Sequence, residues 1–361
     1  EYRKLDDLAE GTIGAFEAGD EENIKTTLTD IEGKIGDSFH YVRYNSYDEE
    51  AEALYAGEID ALILNEAYRG LMENTYAEFD NDTEVIYSHE IKREVKDISK
   101  NVDVTNTPFN VYITGIDTYG SVATRSRSDV NMIATVNPNT HQILLTSIPR
   151  DYYVPQTCQA GAQDKLTHTG IFGVECTVNT AEQFFGIDIN YYARVNFTSL
   201  INIVDALGGI TVDNPNSFTG NNGTYFPIDP NLYINGSEAL EFSRERYSFA
   251  DGDRERGRNQ MRVITGMINK AISPAIIYNY ASIMDAIGGS FQTNMGSSDI
   301  TSFINKQIDT MNGWDIEQQS VTGYGDTLYS PANGFYSYMM VPDMDSVNAA
   351  VVRINEVLYA E

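Results

Sequence analysis

The sequence gathers arginines and aspartates in three short clusters, and these residue types suit the binding of a compact anion. The clusters are "GID" followed by "SRSD" (Asp117, Arg127, Asp129), "SIPRD" (Arg150, Asp151), and the segment 241–266 with Arg244, Arg246, Arg254, Arg256, Arg258 and Arg262. Arginine's planar fork grips two phosphate or carboxylate oxygens at once. A hard cation such as Mg²⁺ is usually held by one or two carboxylates plus phosphate oxygens. The clusters therefore predict an anion site that a cation can bridge.

Helical geometry divides the arginines of segment 241–266. A helix capped by Asp253 and running to about residue 272 would place Arg256 and Gln260 on one mostly apolar face. An arginine aimed at a core must have an anionic partner, since an unpaired buried charge is very costly. The stripe on the opposite side of this helix is predicted to face solvent. It consists of Arg254, Arg258 and Arg262.

Arg244 and Arg246 are two positions apart, so they share a side only if the backbone is extended. We predict extended backbone because the helix expected over "GSEALEF" should end near Phe242. Both guanidinium groups can then face the ligand that Arg256 faces.

Structural ion pairs are the alternative for each of these residues. Asp117, Asp129 and Asp151 can simply pair with Arg127, Arg150 and Arg256. Four inward arginines with two or three carboxylates would still leave positive charge that needs an anion. Other chemistries have less support, because the histidines are scattered and no Walker, GxGxxG or HExxH motif occurs. Lys165 and His168, in "KLTHTG", are expected to order their loop.

The elements that must position these clusters alternate between strands and helices. Residues 1–98 are predicted to form a small α/β unit with a helical start, "FHYVRYNS", a helix-like "YDEEAEALYAGE", the strand "IDALILN", and "TEVIYSHEI". A connector over 92–108 leads to a second domain, 105–361. There we predict a strand at 109–117, a hairpin of 130–137 and 141–149, helices at 177–186 and 197–209, and a loop at 214–231. This mixture predicts an α/β fold, with helices packed on a sheet.

The charge of the whole chain argues against nucleic acid as a partner. The formal net charge is −29, and residues 1–100 hold 26 acidic against 10 basic residues. A protein that binds a duplex by counterion release presents a broad basic face, whereas nine of the 11 arginines after residue 100 lie in the three clusters once Arg125, two positions before Arg127, is counted with the first. Local arginines favour a compact anion instead.

Two cysteines, Cys158 and Cys176, have no histidine at metal-ligand spacing, so a disulfide is favoured over a zinc site. A loop of this size could contribute about 3 kcal/mol in an oxidising compartment. Two unrelated buried thiols are the alternative. Since no initiator Met or signal peptide is present, we expect the chain to be part of a longer, membrane-anchored protein.

The order "GID…SRSD…SIPRD…SRERYSFADGDRERGRNQ" resembles the catalytic domain of the LytR-CpsA-Psr family over about residues 105–275. The segment "GEIDALILNEAYRGL" resembles the accessory domain of the capsule-associated branch. The resemblance implies an α/β/α sandwich with a central mixed β-sheet, preceded by a small α/β accessory domain. It also implies an apolar tunnel beside the sheet for a lipid tail.

The resemblance implies an enzyme that transfers teichoic acid, capsular polysaccharide or a similar glycopolymer from a polyprenyl-pyrophosphate carrier to peptidoglycan. Such enzymes lie on the extracytoplasmic face of the membrane of mainly Gram-positive bacteria, held by an N-terminal anchor that would precede Glu1. The acceptor hydroxyl, the C6 hydroxyl of N-acetylmuramic acid, would attack the glycan-side phosphorus. Asp129 would take its proton.

Carried over position by position, the family's site residues fall in the three clusters. Asp117 and Asp129 match carboxylates associated with Mg²⁺, or Mn²⁺, and pyrophosphate. Catalytic and phosphate-binding roles fall on Arg127, Arg150, Arg244, Arg246 and Arg256, with Gln260 as a further substrate-binding residue. Asn259 stands where many members have another arginine.

Two other functions stay open at this point. One is a non-catalytic module that binds polyprenyl phosphate and regulates polysaccharide assembly. The other is a transcription regulator, which the acidic charge opposes. Turnover of a lipid-linked glycan would distinguish the enzyme from the non-catalytic module. Salt-sensitive binding to duplex DNA would support the transcription regulator.

Overall fold

The computed structural model describes residues 2–16, 20–36, 38–91, 96–250, 252–274, 283–284, 286–287 and 289–360. The chain divides into two compact units, Glu1–Val95 and Lys96–Glu361, called unit 1 and unit 2 below. Within the described residues, no helix combines the length and apolar character needed to cross a membrane.

Unit 1 contains a three-stranded parallel sheet in the order β2-β1-β3. Its strands are β1 (Thr12–Phe16), β2 (His40–Tyr44) and β3 (Ala61–Ile63), and its helices are α1 (Glu21–Ile35), α2 (Tyr47–Ala56), α3 (Glu66–Thr75) and α4 (Phe79–Asp82). The predicted helical start is wrong in part, because the buried strand β1 precedes α1 and forms the centre of the sheet. Residues 83–91 form no helix or strand; Ile86 and Tyr87 pack on the apolar core as irregular backbone.

Unit 2 is built on a six-stranded mixed sheet in the order β14-β9-β4-β5-β6-β15. The strands are β4 (Phe109–Ile116), β5 (Ser128–Asn137), β6 (Gln142–Ser147), β9 (Tyr191–Val195), β14 (Gln292–Thr293) and β15 (Asp315–Ser320). β4 is parallel to β9 and β6 to β15, and the other neighbours are antiparallel. The predicted β5–β6 hairpin is confirmed. The side chain of Asn137 accepts hydrogen bonds from the amides of Asn139 and Thr140 in its turn.

Alternating side chains send two apolar cores to opposite faces of this sheet. Tyr112, Ile133 and Leu144 pack with α5 (Val174–Phe185) and α10 (Met344–Leu358). Their neighbours Met132 and Leu145 face α8 (Asp253–Ala271) and α9 (Ser297–Thr310) on the other side. Period-two alternation in strands produces this division. The α/β/α sandwich with a central mixed sheet is therefore confirmed.

A further apolar cluster joins α8 to helices and short strands between β9 and α8. It involves α6 (Phe197–Ala206), α7 (Gly236–Arg244), β10 (Ile210–Asn214) paired with β13 (Asp229–Ile234), and β11 (Phe218–Thr219) paired with β12 (Tyr225–Phe226). The predicted loop 214–231 is thus wrong in part. Phe218 and Phe226 stack with ring centroids 4.8 Å apart and order this segment.

Two hairpins complete unit 2: β7 (Tyr153–Pro155) with β8 (Gln163–Lys165), and β16 (Gly323–Ser330) with β17 (Phe335–Pro342). A disulfide joins Cys158, beside β7, to Cys176 in α5, as predicted. A 3-10 helix, Leu166–Phe172, follows β8. Of the predicted connector 92–108, residues 92–95 lie outside the described part, and residues 96–108 form no helix or strand.

Candidate active site

The sheet topology brings the first two clusters to one edge. Ile116, the last residue of β4, pairs with Ser128, the first residue of β5, because these strands are antiparallel. β6 is antiparallel to β5, and its last residue, Ser147, pairs with Met132. Asp117 and Arg150 therefore follow strands, Arg127 precedes β5, and Asp129 is the second residue of β5, all at the same edge. Such an edge fixes loop residues while leaving their side chains accessible.

A buried polar network holds the start of β5 in place. Asn131 accepts hydrogen bonds from the Tyr112 hydroxyl at 2.8 Å and from the Ser128 hydroxyl at 2.7 Å. Its amide donates back to the Ser128 carbonyl at 2.7 Å. Because buried polar groups with satisfied partners rigidify their surroundings, Asp129 is presented on well-ordered backbone.

Asp129 is the most tightly held carboxylate of the site. Its Oδ2 accepts a 2.7 Å hydrogen bond from Arg150 Nη1, and its Oδ1 accepts a 2.7 Å bond from the Thr167 hydroxyl. Burial acts to raise the pKa of Asp129, but the charges of Arg150 and Arg127 outweigh it and hold the pKa below its usual value. Asp129 in turn raises the pKa of Arg150. This carboxylate is therefore ionised, and each of its oxygens accepts one hydrogen bond.

Asp117 is held more loosely. Its oxygens lie 3.8 Å from Arg127 Nη2 and 3.9 Å from Arg244 Nη2, beyond hydrogen-bond distance. Burial and the charge of Asp129 raise the pKa of Asp117, and the nearby arginines offset part of that effect. Asp117 and Asp129 are thus close enough to repel one another, as expected for carboxylates that share a site.

Arg244 and Arg246 lie beside this edge, but not in the predicted extended segment. Arg244 is the last residue of α7, and the extended backbone is found at Glu245, its C-cap. The helix continues past Phe242 because Phe242 and Ser243 are still buried against the core. The guanidinium of Arg244 lies over the Phe197 ring at 4.2 Å, and that of Arg246 over its neighbour Tyr247 at 4.6 Å.

Arg256 reaches the site from the first turn of α8, which runs from Asp253 to Ala271 as predicted, although its N-cap is Gly252. Its guanidinium pairs with Asp253. Burial and the charge of Arg150 lower the pKa of Arg256, so the two cations are close. Gln260 follows one turn later and is half-buried. Its substrate-binding role stays a prediction.

The predicted solvent-facing stripe of α8 is wrong for Arg262, whose side chain is 16% exposed, and only partly right for Arg258, at 39%. Glu255 is only 5% exposed and pairs with both Arg258 and Arg262. Arg262 Nη1 also donates to Asn259 Oδ1 at 2.6 Å. A buried carboxylate draws these arginines in, whereas Arg254 is exposed as predicted. The Asn259 amide nitrogen is buried and has no hydrogen-bond partner among the described residues.

Sequence reasoning missed several residues that complete the site. Lys165 Nζ lies 3.0 Å from Asp151, and Thr167 bonds Asp129, so the loop assigned an ordering role also contributes to the cluster. Buried Arg194, on β9, donates to the Thr124 carbonyl at 2.6 Å and so holds the loop that carries Arg127. The strand end in "YYARVNF" was the available signal for Arg194.

A close backbone approach also positions Arg127. A Cβ atom on Gly170 would lie 2.4 Å from the Ser126 carbonyl oxygen and 2.6 Å from the Ser128 amide. Glycine therefore lets the 3-10 helix pack directly on the backbone around Arg127. His168, buried in the same helix, lies 3.0 Å from Asp164 and orders the loop as predicted.

The donor set of the site suits a hard cation. Within the described residues, no group of three or more His, Cys, Asp or Glu side chains is placed to hold a metal ion. Asp117 and Asp129 form a pair of partly buried carboxylates at the sheet edge. Mg²⁺ is usually bound by one or two carboxylates plus phosphate oxygens and water, so these two residues fit such an ion.

The site is thus an arginine-rich sheet edge with paired aspartates on an α/β/α sandwich. Residues 75–351 match the LytR_cpsA_psr family. The chain therefore belongs to the LytR-CpsA-Psr family, as predicted from its motifs.

Individual relatives agree with this assignment. The polyisoprenyl-teichoic acid–peptidoglycan teichoic acid transferase TagU of Bacillus licheniformis is 31% identical over 283 residues, covering 75% of this chain and 85% of the relative. TagU of Enterococcus faecalis is 38% identical over 196 residues, which cover 54% of this chain and 63% of that relative, less than two thirds of its length.

Solved structures show the same fold. The crystal structure of B. subtilis TagV has a TM-score of 0.60 and 26% identity, covering 70% of this chain and 98% of TagV. A structure of TagT bound to LI-WTA has a TM-score of 0.56 and 26% identity, covering 72% of this chain and 94% of TagT. The predicted class of enzyme agrees with the names of these relatives.

Proposed function

We propose that this chain transfers a cell-wall glycopolymer, such as teichoic acid, from a polyisoprenyl-pyrophosphate carrier to peptidoglycan. The observation that carries the proposal is the surplus of positive charge at the sheet edge. Six cations (Arg127, Arg150, Lys165, Arg244, Arg246, Arg256) meet four carboxylates (Asp117, Asp129, Asp151, Asp253), a net of +2 in a chain of −29. A pyrophosphate supplies the compensating charge.

The reaction is a phosphoryl transfer. An acceptor hydroxyl, the C6 hydroxyl of N-acetylmuramic acid, attacks the phosphorus on the glycan side. The new O–P bond forms as the bridging P–O bond breaks, and polyisoprenyl phosphate leaves with the bonding electrons. Catalysis of such transfers is mainly positioning and charge stabilisation. Arg150 and Arg256, both largely buried, are placed to stabilise charge on the phosphoryl oxygens.

Asp117 is better placed than Asp129 to take the hydroxyl proton. Both oxygens of Asp129 are already occupied by Arg150 and Thr167. The oxygens of Asp117 have cations only at 3.8 and 3.9 Å, and its side chain is more exposed, 30% against 14%. Asp117 therefore replaces Asp129 as the proposed base.

Mg²⁺, or Mn²⁺, belongs to this proposal as the ion that Asp117 and Asp129 would hold. When bound, it would neutralise phosphate charge and act as a Lewis acid. The arginines of the site bind and orient the pyrophosphate of the donor, whether or not the ion also contacts the phosphate oxygens.

The setting of the enzyme is also part of the proposal. We place it on the extracytoplasmic face of the membrane, held by an N-terminal anchor. The disulfide supports an oxidising compartment. The capsule-associated branch, with unit 1 as its accessory domain, is the finer assignment, and capsular polysaccharide is then the alternative glycopolymer. No nucleic acid partner is proposed.

Replacement of single arginines tests the function. Wild type and Arg256→Ala are incubated with lipid-linked glycopolymer, peptidoglycan and Mg²⁺ or Mn²⁺, and new phosphodiester is measured by mass spectrometry. We expect Arg256→Ala to lower the transfer rate by about 10²-fold or more. Arg353→Ala, which removes a surface arginine paired with Glu317 and Glu356, is the matched control and should change the rate less than twofold.

Two outcomes would contradict the proposal. Full transfer and full lipid-phosphate binding by Arg256→Ala would refute the site. Tight binding of the lipid-linked glycan by wild type without any turnover would instead identify a non-catalytic binding module.

A further inference from the structure

The β16–β17 hairpin displays a row of exposed tyrosines on one face. Tyr329 is directly opposite Tyr336 in the strand register, and Thr327 is opposite Tyr338. Side chains two apart on a strand share a face, so Tyr329, Tyr336 and Tyr338 point to the same side. They are 47%, 69% and 51% exposed. We call these three residues the tyrosine face.

The rings of the tyrosine face form a contact surface close to the backbone. Tyr329 and Tyr336 have ring centroids 5.7 Å apart. A Cβ atom on Gly325 would lie 2.7 Å from the Tyr338 ring, so glycine lets this ring lie directly over the neighbouring strand. Contiguous exposed aromatic area is unusual on a protein surface without a binding role.

This hairpin is joined to the active-site loop. The Met340 amide donates to the Asp151 carbonyl at 2.8 Å, and Tyr152 forms a parallel bridge with Met340. Asp151 in turn contacts Arg150 and Lys165 of the phosphate site. The tyrosine face is therefore fixed relative to the reacting groups.

The Tyr338 end of the face is the end nearest the site. Burial, followed by the charges of Asp151 and Asp253, raises the pKa of the Tyr338 phenol. Arg254, on the first turn of α8, donates a 3.4 Å hydrogen bond to the Gly323 carbonyl at the base of the hairpin. A chain-like ligand lying along the tyrosines would thus lead toward the phosphate site.

The charge of the hairpin favours one kind of ligand. Asp326 is the only charged residue in the sequence 323–342, so the hairpin itself supplies no cation for an anionic polymer, and Arg254 contacts it only at the Gly323 end. Sugar rings have apolar C–H faces that pack on aromatic rings, and their hydroxyls can bond the phenol oxygens of tyrosine. Uncharged sugar rings are therefore the chemistry that this surface fits.

We propose that the tyrosine face binds sugar rings of the peptidoglycan glycan strand and so presents the acceptor hydroxyl to the phosphate site. The proposal rests on the transferase function proposed above. The donor's phosphate groups are held at the arginines, which leaves the uncharged face to the acceptor.

The experiment separates binding of the acceptor from transfer. Binding of a β-1,4-linked GlcNAc–MurNAc tetrasaccharide, with its lactyl carboxyl groups amidated so that it is uncharged, to the full chain is measured by calorimetry without any donor. Tyr336→Ala combined with Tyr338→Ala should weaken binding about tenfold or more, the scale expected for losing two ring contacts. Tyr336→Phe combined with Tyr338→Phe keeps the rings and should retain most of the affinity. Tyr324→Ala, 62% exposed on the opposite face of the hairpin, should change nothing.

Transfer kinetics provide the second arm. In the alanine double variant the KM for the tetrasaccharide acceptor should rise about tenfold, while kcat and the donor KM stay within twofold of wild type. Unchanged acceptor binding, or a rise in the donor KM alone, overturns the proposal. If wild type shows no transfer but still binds the tetrasaccharide through these tyrosines, the proposed function fails and the tyrosine face stands.

Discussion

Glu50 in unit 1 and Asp129 in unit 2 are both buried carboxylates, and their surroundings differ in one respect. Neither oxygen of Glu50 has a hydrogen-bond partner of good geometry among the described residues. Burial raises the pKa of Glu50 to about 8, and the nearby backbone amides of Phe16 and Ile63 offset only part of this. Asp129 has Arg150 and Thr167 on its two oxygens and keeps a pKa below its usual value.

The difference lies in the protonation state that each unit gives to its buried carboxylate. Taking a carboxylate out of water disfavours its charged form unless a cation or several donors compensate. Unit 1 supplies no cation in the described surroundings of Glu50, so the group takes up a proton near neutral pH. Unit 2 supplies several arginines, so Asp129 stays charged. Maintained charge at a sheet edge is what binding a metal ion and a phosphate requires.

Removal of Arg150 is the strongest test of whether the arginines keep buried Asp129 charged. Arg150→Met leaves Asp129 buried without its main cation, which should cost about 3–5 kcal/mol of stability and lower transfer by about 10²-fold or more. Unfolding in urea and the transfer assay measure the two effects. Adding Asp129→Asn should recover stability and leave transfer low.

A matched control for Arg150 lies far from the site. Arg353 also bridges two carboxylates, Glu317 and Glu356, but on the surface. Arg353→Met should cost less than about 1 kcal/mol, as is usual for exposed pairs. Equal effects of the two substitutions would show that the burial of Asp129 does not matter.

The sequence predicted those parts of unit 2 that depend on local pattern. Alternating apolar residues and the turn at Asn137 located β4, β5 and β6, and the apolar period of α8 located that helix. Strand ends then placed Asp117, Asp129 and Arg150 at one edge. Strand order was beyond local pattern, since β15 pairs with β6 across some 170 residues of chain.

The errors in the site arose from burial that a periodic pattern does not contain. Arg262 was predicted to face solvent because its position opposes the apolar face of α8. Glu255 lies under it and is buried by the packing of α8, where the Asn216 amide also donates to it at 3.1 Å. Thr167 was missed for a similar reason, because its partner Asp129 is 38 residues away.

Titration of Glu50 gives the next largest effect. Because the folded pKa, about 8, lies above the ordinary value of 4.5, folding favours the protonated form. The destabilisation is therefore absent below about pH 4.5, grows as the pH rises to about 8, and is constant above that. Glu50→Gln should protect unit 1 by roughly 4 kcal/mol at pH 8 and by less than about 1 kcal/mol at pH 5.

Hydrogen exchange of the amides in α2, measured on the full chain and corrected for intrinsic rates, follows this change. Glu52→Gln, exposed on the same helix, is the control and should have no such pH dependence. A pH-independent difference between Glu50→Gln and wild type would mean that Glu50 is ionised throughout, and the contrast with Asp129 would fail.

The smallest effect is expected at Glu255. It tests whether a buried carboxylate with arginine partners must belong to the active site. Glu255 is as buried as a site residue and pairs with two arginines, Arg258 and Arg262, neither of which was predicted to bind the substrate. Glu255→Gln should cost about 1–2 kcal/mol in urea unfolding, because charge-assisted bonds become neutral ones, and should change transfer less than about threefold. A hundredfold loss of transfer in a normally folded Glu255→Gln protein would show that this network, by orienting Arg256 one residue along the helix, is part of the catalytic machinery.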